Sequence, residues 1–95
     1  EVDTGIGGAT ADAVGERLSR LAQGVQVLVV THSPQVAARG DHHWRVDKKE
    51  VEPGRIATSV APLDGPARRE EIARMLSGAH ITDEARAAAD RLLGA

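Results

Sequence analysis

Ninety-five residues, with 12 basic and 14 acidic side chains, a net charge of −2, no Cys, Phe or Tyr and a single Trp, make one small domain at most, or a piece of one. This balance offers no basic footprint for nucleic acid and no polybasic membrane patch. The lack of thiols excludes a disulfide framework and a thiolate metal site, no signal peptide is visible, and the longest apolar run is far too short to span a bilayer.

A core drawn mainly from Ala, Val, Leu and Ile is thin for a chain that buries only roughly 60–65% of its unfolded surface, which hints at missing neighbours. With Glu1 rather than Met in first place, the chain reads as a fragment or a processed piece. In chain order, Gly5, Gly7 and Gly8 form a flexible loop. From about residue 9 to 22, Val14, Leu18 and Leu21 recur at helical spacing, with Asp12 early and Arg17 and Arg20 late, as the macrodipole prefers. Gly24 is a helix stop. Val25–Val30 is short, β-branched and nearly all apolar, the pattern of a strand buried on both faces of a parallel sheet. Ser33 then caps a short helix with Pro34 at its first position, ending by Gly40.

A hairpin follows. Trp44 and Val46 alternate with Arg45 and Asp47, and Ile56, Thr58 and Val60 with Ala57 and Ser59, with "KKEVEPG" as the connection. Two helices finish the chain: Ile72, Met75 and Leu76 form the stripe of the first, and Thr82 caps a second whose apolar face is Ala85, Ala88, Ala89, Leu92 and Leu93. There is no internal repeat and no interdomain linker, so residues 1–95 are read as a single unit of α/β class.

His32 is the residue this layout singles out. It lies two residues past Val30, where open α/β sheets bind ligands, and just ahead of a helix N-terminus that favours an anion. An imidazole there suits a phosphate; it suits a hydrogen bond to a loop carbonyl equally. Thr31 and Gln35 flank the same turn, and Gln35 either lines a site or occupies an exposed helix face. "DHHW" is no metal motif, because His42 and His43 on a strand would point to opposite faces; His43 or Trp44 fits sheet packing better. Lys48 and Lys49 read as a solvated hairpin end, and Glu70–Arg74 as an i,i+4 surface pair.

Taken in order, "EVDTGIGG", a helix, a buried strand ending in "THSPQVAARGDHHWRVDK" and the tail "REEIARMLSGAHITDEARAAADRLL" resemble the C-terminal part of an ABC-type ATPase head of the SMC family, in the form found in bacterial DNA repair proteins. The resemblance covers essentially the whole chain. It implies a fragment of a P-loop ATPase head, with a parallel-sheet strand, a β-hairpin and flanking helices. By position it makes Glu1 the catalytic glutamate and His32 the switch histidine. It assigns Asp3, Thr4, Gly5 and Gly7 to the D-loop that touches nucleotide and partner head, with Thr31 and Gln35 as further lining.

The implied cofactors are ATP and Mg2+, both held mainly by parts outside this chain. The implied partners are the N-terminal half of the same head, a second head in an ATP-engaged dimer, and DNA; the implied location is the bacterial cytoplasm at the nucleoid, with no membrane role. The sequence also departs from the family pattern. No Asp precedes Glu1, no G-x-x-x-x-G-K-[ST] loop and no signature motif is present, and Gly7 stands where relatives carry the D-loop Asp. The implied ATP hydrolysis therefore belongs to the complete head and not to these residues alone. The competing reading is a non-catalytic α/β binding or dimerisation module in which Glu1 and His32 are structural.

Overall fold

The computed structural model describes residues 7–94. Six elements follow in order: α1 (Gly8–Leu21), α2 (Pro34–Ala37), β1 (Trp44–Glu52), β2 (Arg55–Pro62), α3 (Gly65–Ser77) and α4 (Asp83–Leu92). The α/β class is borne out, with helices around one two-stranded antiparallel sheet. None of the helices among the described residues is long and apolar enough to cross a membrane.

The C-terminal helices are the best specified. Asp64 caps α3 by accepting from the Ala67 amide at 2.9 Å, and Pro66 occupies its first turn. Thr82 caps α4 by accepting from the Ala85 amide at 3.1 Å, with Asp83 and Glu84 at the positive end of the helix. The two helices bury Ile72, Ala73, Ala85 and Ala89 between them, and Met75, Ile81, Leu92 and Leu93 close the edges. Alanines at three of these four positions let the backbones approach, so Ile72 alone fills the centre and is wholly excluded from water.

The hairpin is longer than the connection "KKEVEPG" suggests. Lys48–Glu52 continue β1, and only Pro53 and Gly54 turn the chain, with Gly54 at φ +79°, a conformation that a side chain would strain. Val51 is the extra residue of a bulge between the Glu50–Ile56 and Glu52–Arg55 pairs. The faces are inverted relative to the usual pattern. Trp44, Val46 and Val60 share an exposed face, while Arg45 on the opposite face reaches α3, its guanidinium 3.2 Å from Glu71. A buried carboxylate on α3 thus decides which way the hairpin turns.

Val25–Val30 departs from expectation: it enters no ladder among the described residues. Val27 and Val29 are half-buried, whereas Leu28 is 82% and Val30 69% exposed. β-branched composition measures how well a residue suits a pleated surface. It creates no strand where no neighbouring edge is offered.

Candidate functional site

Two helix N-termini meet beside His32. The start of α1 (Gly7, Gly8 and Ala11) and the turn into α2 (His32, Ser33, Pro34 and Gln35) line an open hollow of about 190 Å3. Gly7 is the N-cap of α1 and brings no side chain to satisfy its first amides, and no acidic residue occupies that first turn. Among the described residues no side chain therefore offsets the positive end of this 14-residue helix, a setting that favours an anion.

The turn into α2 is built from its own side chains. Thr31 Oγ1 accepts from the Ser33 amide at 2.9 Å. Ser33 Oγ donates to Gln35 Oε1 at 3.0 Å and accepts from the Val36 amide at 3.4 Å. Gln35 is thereby oriented, and a Cβ on Gly8 would stand 3.5 Å from its Nε2. His32 sits at the exposed rim. Across the hollow the two helices nearly touch: a Cβ on Gly15 would lie 3.1 Å from the Gln35 carbonyl oxygen and 3.4 Å from Val36 Cα, so any side chain there would press the α2 backbone outward by a few tenths of an ångström.

A second cluster ties α2 and the hairpin to α3. Arg68 Nη2 donates to the carbonyls of Ala37, Ala38 and Gly40 at 3.0, 3.3 and 2.6 Å. Glu71, the one buried charged side chain among the described residues, accepts from Arg74 and faces Arg45. The hydrogen bond from Arg74 and then the charges of Arg74, Arg45 and His43 hold its carboxyl below the ordinary value, against the opposing effect of burial. Burial first, and the Arg68 charge second, push the His43 imidazole below 6.5, with Glu71 pulling the other way.

Gly7, His32 and Gln35 therefore come together as lining of one hollow, and Thr31 braces it from behind. Glu1, Asp3, Thr4 and Gly5 lie outside the described residues. Trp44 does not pack into the sheet's protected side; it is more than half exposed, and His43 takes the half-buried position. Glu70 pairs with Arg86 of α4 at 3.0 Å rather than with Arg74, because Arg74 turns to the buried Glu71 one position on. Among the described residues, no group of three or more His, Asp or Glu side chains could hold a metal ion. Sequence reasoning missed Arg68 and Glu71. The partners of Arg68 lie 28–31 residues away; Glu71 has Arg74 at i+3, but its burial and its contact with Arg45 have no local signal. Ser33 was visible as a cap, but not as the residue that also orients Gln35.

No family model matches the chain. Curated proteins do. The chain is 57% identical over 93 residues, 98% of its length, to the DNA repair protein RecN of Xylella fastidiosa. It is 63% identical over 78 residues to the RecN of Deinococcus radiodurans, and 44% identical over 93 residues to that of Halalkalibacterium halodurans. It spans 14–16% of the length of these three relatives.

Proposed function

With the chain RecN-like in sequence over 98% of its length, we propose that it supplies the switch histidine and D-loop side of an SMC-type ATPase head in a RecN-like DNA repair protein. Residues 1–95 then form one part of a single head domain. ATP is the substrate of the complete head, and hydrolysis requires the N-terminal half that carries the phosphate loop. A second head, DNA and a place at the nucleoid in the cytoplasm follow from that role.

The observation that carries this reading is the shared hollow, in which His32 and Gln35 stand beside the N-terminus of α1, where Gly7 brings no side-chain cap and no carboxylate lies in the lining among the described residues. A terminal phosphate fits these donors. His32 would donate to it as charge develops in phosphoryl transfer, a contribution of roughly 10²–10³-fold by analogy with a lost oxyanion donor. The amides at the start of α1 would add fixed positive dipole without reorganisation. Glu1 would orient or deprotonate the attacking water, worth roughly 10²–10⁴-fold as a general base. Asp3, Thr4, Gly5 and Gly7 would form the small-residue loop against the partner head. Mg2+ would neutralise phosphate charge, held mainly by ligands from other parts of the head.

In the full-length RecN-type protein, His32→Ala is expected to lower ATP turnover roughly 10²-fold or more while the circular dichroism spectrum stays unchanged. Equal turnover in variant and parent would remove the catalytic assignment. The exposed apolar hairpin face of Trp44, Val46 and Val60 favours the competing binding-module reading, which predicts that same silence at His32.

A further inference from the structure

We propose that Arg68 is a positioning residue for the His32 turn, a reading that rests on the assignment of His32 to the phosphate site. Helix α2 has only four residues, a single turn, which is far too short to hold its own conformation. Its N-terminal end carries Ser33 and Gln35 of the hollow, and the carbonyls at and just past its C-terminal end look for donors beyond the helix.

Arg68 Nη2, projecting from the first turns of α3, receives three of these carbonyls on one nitrogen: Ala37 at 3.0 Å, Ala38 at 3.3 Å and Gly40 at 2.6 Å. A cation in that place also meets the negative end of α2. Ala37 and Ala38 lean on the α3–α4 core, so the staple fastens the turn to the most protected part of the molecule. On its other side α2 crosses α1 closely at Gly15.

The consequence is mechanical. His32 precedes the first residue of α2 by two positions, so a slide or rotation of that single turn displaces the imidazole directly. Without Arg68 the carbonyls of Ala38 and Gly40 lose this donor and that of Ala37 keeps only the Gly40 amide at 3.3 Å, so the tie from α2 to α3 is released. A donor that must meet a phosphate tolerates little displacement, since an error of about 1 Å costs up to roughly 10²-fold. Lysine can offer its ammonium to some of the same carbonyls, but it lacks the rigid planar fork that fixes the direction of approach.

The test uses the full-length RecN-type protein. Arg68→Ala is expected to lower ATP turnover about 10- to 100-fold while KM for ATP moves less than about threefold, and Arg68→Lys to recover part of the loss. In a His32→Ala background the same Arg68→Ala change should add almost nothing, because the two act through one donor. Amide exchange at Ala37 and Ala38 should quicken about tenfold in Arg68→Ala, with Ala89 in α4 unchanged. Unaltered exchange at Ala37 and Ala38 would overturn the staple whatever the turnover does. Faster exchange combined with turnover losses that multiply those of His32→Ala would overturn its link to His32. A silent His32→Ala with faster exchange in Arg68→Ala would instead strike the phosphate assignment and, with it, the catalytic half of this proposal.

Discussion

Helices α3 and α4 close on a core that water does not reach. In the α1–α2 half only Ala11, Gly15 and Val36 are buried, and Leu21, Val25, Leu28 and Val30 stand exposed. The first pair has two side-chain caps and the Arg69–Asp90 and Arg86–Glu70 bridges, while α1 has no side-chain cap. Yet the candidate site belongs to the second half. Stability and chemistry are thus segregated: a small, well-determined pair of helices serves as anchor, and the His32 turn borrows its position from that anchor through Arg68.

The largest expected effect comes from removing the anchor. Ile72→Ala deletes the only large side chain that is fully buried among the described residues, at the centre of a cluster whose other buried members are alanines. A loss of about 2–5 kcal/mol is expected, a large share of what a domain of this size possesses. Leu28→Ala, at 82% exposure, should stay within about 0.5 kcal/mol. Urea melts of the two variants against the parent check both, and equal effects would mean that the two halves are not distinct.

A smaller effect separates the hairpin from the anchor. Glu71 is the carboxylate that draws both Arg45 of β1 and Arg74 of its own helix. Glu71→Gln keeps the shape and removes the charge, leaving two half-exposed guanidinium groups that water can reclaim. About 1–3 kcal/mol should be lost. Trp44 at the hairpin base gives a local reading, since its fluorescence should report loosening before the helical signal at 222 nm falls. A coincident fall of both would show the hairpin and α3–α4 to be one cooperative unit.

These contrasts also explain what could be read from the sequence. The elements with local signatures were legible: Thr82 and Ser33 as caps, Pro34 at a first turn, the alternation of β1 and β2, and the stripe through Ile72 and Ala89. Val25–Val30 carries the pattern of a parallel-sheet strand, but no neighbouring edge for it lies among the described residues. His32 and Gln35 could be placed at one turn from their position at a helix start, whereas Gly7 was joined to them only by the family resemblance. Arg68 and Glu71 could not, because their meaning lies in carbonyls and guanidinium groups that only the folded chain brings near.

The smallest expected effect, and the finest test of the anchor's electrostatics, is its response to acid. His43 is held below 6.5 in the folded chain, by burial first and by Arg68 second, so the unfolded chain takes up a proton at this ring before the folded one does. Stability should therefore fall as pH drops below about 6.5, until the folded ring titrates as well. Glu71 acts in a lower window. Its folded carboxyl is held below 4.5, chiefly by the Arg74 hydrogen bond, so its contribution is complete above that value and drains away beneath it. His43→Gln should flatten the upper part of the stability–pH curve and leave the lower part intact, whereas Glu71→Gln should do the reverse. Because His43 and Glu71 face each other electrostatically, removing either should also shift the other: without Glu71 the ring loses the one charge that favours its protonation, and the upper decline should begin at the same pH but continue to a lower one. Identical curves for the parent and both variants would mean that neither group titrates differently on folding, and that the bridge from hairpin to anchor rests on packing alone.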